Sequence, residues 1–302
     1  MLLTEDRAIV PTDGQTGFLY AFDLASGEPV WKVSAGSGIA VDLVEHDGRV
    51  YAFTLQSEVL AIDPADGAII WRRAFHREGA IHRFMGLVPA VAGSTLVVGC
   101  LDGFVRALDL SRGDTVWERD LGAGVSSSVL SAGDFVVTGT VDSVFSMLSI
   151  AGGDTIRTAH AGGEPRGNLV ALGEDGSFAS FLARNAWEGR MTRWSPDLER
   201  EWVALPPNGS AWISQRPYRL GERWILAGTS SGVIGVIDID SGELVQEFAV
   251  EPEYDWDGDG LRSFGFSDGK LFVGSVSGML YCYDLAAHEK GRPREETGLQ
   301  TD

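Results

Sequence analysis

The chain has 302 residues, 44 % of them apolar, and carries 43 acidic against 24 basic groups for a formal net charge of −19. The apolar share is enough for a packed core and excludes a disordered chain, while the acidity argues against a nucleic-acid binder, which needs a basic footprint. No apolar run reaches the roughly 18 residues of a membrane-spanning helix, and the start as written lacks the basic-then-apolar pattern of a signal peptide.

Taken in chain order, the sequence repeats itself. Met1 to Thr4 reads as the stub of a strand. Ala21-Phe22-Asp23 then runs on to Gly27 and Trp31, Ala61-Ile62-Asp63 to Gly67 and Trp71, and Ala107-Leu108-Asp109 to Gly113 and Trp117. All three fit Ala-x-Asp-x-x-x-Gly-x-x-x-Trp without a gap. Weaker copies follow. Ser149 to Arg157 keeps Gly153 but loses the Asp and the Trp, and Ser195 to Trp202 keeps the Trp with one residue deleted. Asp238 to Gln246 keeps the Asp and Gly242, and Asp284 opens a copy that is never finished. The anchors at 23, 63, 109, 149, 195, 238 and 284 are 40 to 46 residues apart, the spacing of a four-stranded propeller blade.

Each unit reads as short β-branched or aromatic runs punctuated by Gly and Asp. In the third, strands are predicted over 87–91, 95–99, 104–108 and 115–118. The Asp-x-x-x-Gly segment is the last hairpin: Asp bonds the backbone two residues on, and Gly supplies a positive φ. No stretch shows capped 3.6-residue periodicity. The fold class is therefore all-β, a seven-bladed β-propeller over 1–286 with a flexible charged tail over 287–302; eight blades or an incomplete ring are the alternatives. Blade seven is expected to stop after its third strand, with its outer edge covered by the tail, by residues upstream or by a second chain.

The three complete motifs resemble the tryptophan-docking repeat of the quinoprotein (PQQ-like) β-propellers. That superfamily includes quinoprotein alcohol dehydrogenases and the non-catalytic outer-membrane assembly lipoprotein BamB. The resemblance covers 2–286 and implies that Trp31, Trp71 and Trp117 end outer strands and pack against the neighbouring blade. The family's dehydrogenases carry a vicinal cysteine pair over the cofactor, whereas Cys100 and Cys282 here are far apart in sequence. No PQQ and no enzymatic activity are therefore expected. The resemblance implies a scaffold that binds a protein partner, with envelope protein assembly as its family-based form. A quinoprotein oxidoreductase, or the sensor portion of one, is the alternative. Localisation is left open by the sequence: the start as written points to the cytoplasm, and a natural start further upstream would point to the periplasm or the extracellular space.

Other constellations are weighed against simpler readings. Two cysteines make no disulfide framework and read as buried thiols in strands. Gly228-Thr229-Ser230-Ser231-Gly232 has the Gly-x-Ser-x-Gly pattern of hydrolases, but the same hairpin slot holds Gly99 to Gly103 and Gly274 to Gly278, so it reads as a turn. Asp255, Asp257 and Asp259 followed by Gly260 present alternating carboxylates suited to Ca²⁺. The bidentate Glu of an EF-hand would fall at Phe266, and the simpler reading is a solvated acidic loop. Three long loops, 73–86, 204–215 and 250–262, hold Phe75, His76, Arg77, His82, Arg83, Phe84, Trp212, Tyr254 and Trp256. Aromatics and Arg are common interface anchors, and loops on a rigid scaffold are where binding concentrates. These residues form a candidate partner-binding face, against the plainer reading of charged loop tips and blade-packing rings.

Overall fold

The computed structural model describes residues 2–12, 16–39, 42–75, 88–183, 189–206, 217–229, 233–249, 261–267, 270–275 and 280–284. These residues form seven antiparallel sheets, six of four strands and one of three, joined in chain order. Blade one is β1 (Leu2–Leu3), β2 (Arg7–Pro11), β3 (Phe18–Asp23) and β4 (Pro29–Ser34). Blade two is β5 (Val44–His46), β6 (Arg49–Phe53), β7 (Glu58–Ile62) and β8 (Ile69–Ala74). Blade three is β9 (Ala90–Ala92), β10 (Thr95–Gly99), β11 (Phe104–Asp109) and β12 (Thr115–Asp120). Blade four is β13 (Leu130–Ala132), β14 (Phe135–Gly139), β15 (Val144–Ser149) and β16 (Thr155–His160). Blade five is β17 (Glu164–Ala171), β18 (Phe178–Ala183), β19 (Gly189–Trp194) and β20 (Arg200–Ala204). Blade six is β21 (Tyr218–Leu220), β22 (Trp224–Gly228), β23 (Val233–Asp238) and β24 (Leu244–Ala249). Blade seven shows β25 (Leu261–Ser267), β26 (Lys270–Ser275) and β27 (Leu280–Asp284). The molecule is a seven-bladed β-propeller, and each repeat anchor falls at the end of a third strand or one residue past it.

First strands of successive blades touch, β13 against β9 and β17 and β21 against β25, so the first strand lies inward and the fourth is outermost. In blade three the first strand starts at Ala90, later than the predicted 87. Pro89 precedes it and has no N–H to give to the ladder.

The core lies between blades. Six buried clusters follow one another around the chain. Ile9, Leu19 and Ala21 of blade one meet Leu60 and Ile62 of blade two. Tyr51, Phe53 and Val59 meet Leu96 and Leu108 at the second seam, and Val105 and Ala107 meet Val136 and Leu148 at the third. The remaining three clusters join blades four to five, five to six and six to seven. In the third strand, alternate residues therefore serve opposite neighbours, as the two-residue period of a strand requires.

A bulge recurs just before the last turn. Ala21 pairs with Trp31 but Phe22 with Pro29, so Val30 is the extra residue. Ile70 and Val116 hold that place in blades two and three. These residues are pushed outward and 43–53 % exposed, while the bulge re-aims the following Trp toward the next blade. Opposite each motif Trp stands an Ala: Ala21, Ala61 or Ala107. The small residue leaves room for the indole, which accounts for the first letter of the motif.

Cys100, just after β10, is buried and Cys282 in β27 is exposed; both are free thiols. The expectation of two buried thiols is thus corrected for Cys282, because β27 is the outermost described strand of its sheet.

Candidate functional site

The motif residues meet at the blade seams. Asp109 opens the turn of blade three, its carboxylate accepting from the amides of Ser111 and Arg112 at 3.0 and 2.9 Å. The Gly113 amide closes the turn by donating to the Asp109 carbonyl at 2.8 Å. Asp238 does the same in blade six, accepting from Asp240 and Ser241. Its carboxyl is held down to about 2, first by the Ser241 amide and then by Arg223. Hydrogen bonds from Ser111 and Ser26 likewise lower Asp109 and Asp23. These donors favour the charged form, so the turns are locked with ionised carboxylates.

The turns of blades two, three, four and six each receive a Trp from the blade before. The indole N–H of Trp31 donates to the Pro64 carbonyl at 2.9 Å, Trp71 to Leu110 at 3.0 Å and Trp117 to Ile150 at 2.7 Å. The ring lies on the turn glycine: a Cβ built on Gly67, Gly113 or Gly153 would sit 2.8, 2.5 or 2.5 Å from it. The glycine is thus needed twice, for its positive φ (70° at Gly113) and for the close approach of the ring. Two seams add a second grip. Arg73 donates to the Gly113 carbonyl and pairs with Asp114 at 2.8 Å, and Arg119 does the same to Gly153 and Asp154 at 2.7 Å.

Two residues in these seams lie outside the three-motif set. Trp202 donates to the Ile239 carbonyl at 2.8 Å, with Gly242 under its ring. The signal was present in sequence but shifted by the one-residue deletion after Ser195. At the seam between blades four and five, Arg157 stands where the Trp would be and pairs with Asp197 at 2.9 Å. The receiving glycine is replaced there by Leu198, which keeps the turn's positive φ of 59° and is buried. No described indole from the preceding outer strand lies on that turn, and the Leu198 side chain packs into the cluster with Phe145, Phe178 and Trp194.

Of the residues expected on a long-loop binding face, only Phe75 falls within the described residues. His76, Arg77, His82, Arg83, Phe84, Trp212, Tyr254 and Trp256, and the carboxylates Asp255, Asp257 and Asp259, lie outside the described residues. Phe75 is described and is 8 % exposed, within the core between blades two and three. Its expected place on a partner-binding surface is corrected. The ring packs under the Arg106 guanidinium, 4.8 Å away, with Phe104 at 5.0 Å on another side. Arg106 is itself 2 % exposed and forks onto Asp102 at 2.6 and 3.2 Å. Sequence reasoning passed over this pair; its only trace is an Arg in β11 where β7 has Leu60. Nearby Cys100 is pushed up to about 12, chiefly by burial, so it is a neutral thiol and a poor nucleophile at ordinary pH. The cluster fastens the root of the loop to the scaffold.

Among the described residues no group of three His, Cys, Asp or Glu is placed to hold a metal ion, and no helix is long and apolar enough to cross a membrane.

Seven sheets in chain order, with Trp-on-Gly docking turns at four of their seams, define a PQQ-like β-propeller. The chain belongs to the family described as outer membrane protein assembly factor BamB, whose model matches residues 15–186 and 81–255. Among curated relatives, 1-butanol dehydrogenase (quinone) of Thauera butanivorans is 27 % identical over 122 residues, 38 % of this chain and 20 % of that protein. Outer membrane protein assembly factor BamB of Alteromonas naphthalenivorans is 33 % identical over 99 residues, 28 % of this chain and 22 % of that protein. The matches thus span about a fifth of each relative. The crystal structure of BamB from Moraxella catarrhalis superposes with a TM-score of 0.69 at 17 % identity, covering 92 % of this chain and 81 % of that one. At that identity the likeness is one of fold.

Proposed function

We propose that the protein is a non-catalytic propeller that holds a protein partner on its long-loop face and works in envelope protein assembly. The observation that carries this reading is the family match across residues 15–255, together with the BamB-named relatives. The scaffold suits the role. Its seams are stapled by docked rings and charged turns, so the root of the first long loop, at Phe75, is held on a firm scaffold. Rigid presentation lowers the ordering cost of association. In this reading the protein resides in the cell envelope and takes no cofactor.

The test is a strain lacking the gene, with its envelope proteins quantified and the full chain supplied back. Loss of envelope proteins restored by the full chain, and not by a version with the 73–86 loop shortened, is the expected result. An unchanged envelope overturns the reading. The 1-butanol dehydrogenase (quinone) relative favours a second reading as a quinoprotein oxidoreductase. Alcohol-dependent dye reduction after incubation with PQQ and calcium would replace the first reading by the second.

A further inference from the structure

The chain leaves the outer strands of blades one to four through one recurring main-chain bond. The amides of Ala35, Phe75, Leu121 and Ala161 donate to the carbonyls of Gly17, Ser57, Gly103 and Ser143 at 2.8–3.0 Å. Ala35 and Ala161 are small and fully buried, and Leu121 is partly buried. Phe75 is the one ring among the four. It also precedes the longest of the four connections, residues 76–89, against 36–43, 122–129 and 162–163.

That ring is held by a charge buried where blades one, two, four, five and six have none. Counting back three from each repeat anchor, Arg106 holds the place of Tyr20, Leu60, Ser146, Thr192 and Gly235. The Asp102 side chain is 1 % exposed. Besides the fork from Arg106, its carboxylate accepts from the Phe104 amide at 3.0 Å, so the hairpin sets its direction. Nε of Arg106 donates to Glu118 at 3.4 Å, and the guanidinium stands over Phe75. The exit residue is thus fixed twice, its main chain by Ser57 and its ring by Arg106. Taking two charges out of water is costly, and an aliphatic residue of similar volume is often as stable in their place. Blade two has such a solution: Gln56 and Leu60 stand where blade three has Asp102 and Arg106, and Leu60 is fully buried.

We propose that the Arg106–Asp102 pair is a positioning element rather than a stabilising one: it fixes the direction in which the chain leaves blade two at Phe75, and with it the presentation of the following connection to a partner. The fork leaves the guanidinium one orientation, and a cation over a ring face holds the ring beneath it. An aliphatic residue would fill the space without either constraint. Only the link to a partner rests on the function proposed above.

The experiment gives blade three the residues of blade two. In the full chain, Arg106→Leu with Asp102→Gln is expected to keep the urea midpoint within about 0.5 M of the parent. Arg106→Leu alone leaves a buried carboxylate unpaired and is expected to lower the midpoint clearly. Amide exchange is read by NMR at Phe75, with Ala35 and Ala161 as internal standards. In the double variant the Phe75 amide is expected to exchange at least about tenfold faster, with both standards unchanged. A purely stabilising role would move all three amides together. In the strain lacking the gene, the double variant is expected to restore envelope proteins no better than the version with the 73–86 loop shortened. A midpoint lost in the double variant, or a Phe75 amide as protected as in the parent, would overturn the proposal. So would full restoration by a variant whose Phe75 amide is freed. If the parent chain itself restores nothing, the proposed function falls, and the exchange result still decides whether the pair positions the exit.

Discussion

The seams on either side of blade four solve one packing problem in different places. Between blades three and four the aromatic anchor is outside: Trp117 on β12 lies on Gly153 and donates to Ile150, with Arg119 beside it. Between blades four and five the outer strand offers only the half-exposed Arg157 to Asp197 pair. The anchor has moved inside. Trp194, 2 % exposed at the end of β19, packs edge-on against Phe145 at 5.1 Å and stacks on Phe178 at 6.4 Å. Its indole N–H is satisfied by Thr192 and Ser180 at 2.9 and 3.1 Å. In both seams one large ring has its N–H paired, since an unpaired buried donor is costly. Whether that ring sits on the outer strand or within the core decides if the facing turn must be glycine.

The comparison breaks first if the rings do not carry the seams. Trp194→Ala and Trp117→Ala should each cost about 3–5 kcal/mol, since each leaves a large cavity. Urea unfolding measures this, and a shift below about 1 kcal/mol in either would sink the role given to that ring. Gly113→Ala comes next. Its Cβ would meet the Trp71 ring at 2.5 Å and its φ is strained, for a loss of roughly 2–3 kcal/mol by overpacking. The matching change at the other seam should behave differently. Arg157→Trp and Leu198→Gly should each destabilise alone, yet together show a favourable coupling of about 1–2 kcal/mol in a double-mutant cycle. Zero coupling would mean that the missing Trp and the missing Gly are unrelated. Removing only the exposed pair, by Arg157→Ala, should change stability by less than about 1 kcal/mol.

The smallest effect is a pH dependence. Asp238 is held at about 2, below its ordinary 3.8. A depressed carboxyl stabilises the fold fully above its unfolded value and loses that contribution as pH falls through the folded one. Melting temperature followed downward from about pH 4 to pH 2 should fall less steeply in Asp238→Asn than in the parent. Identical slopes would detach the turn carboxylate from acid stability.

Much of this architecture was legible in the residues. The repeat spacing yields the blade number, and Ala, Asp, Gly and Trp at fixed offsets yield the turn, because each answers a local demand: room for the ring, backbone acceptors, positive φ. The candidate binding face was legible only as long loops. Phe75 looked like an exposed anchor because sequence shows a ring in a loop but not the Arg106 and Asp102 pair that draws it inward. Blade five's turn was obscured by its deletion, which moved Trp202 out of register.

By itself the sequence determined the strand period, the turn chemistry and the family, since these depend on contacts within about four residues and on repetition. Only the tertiary structure decided which rings meet which turns. A seam joins residues some 30 to 60 positions apart, such as Trp117 with Ile150 and Arg49 with Leu110, and no local pattern states that Leu198 takes the glycine's place where Arg157 takes the indole's.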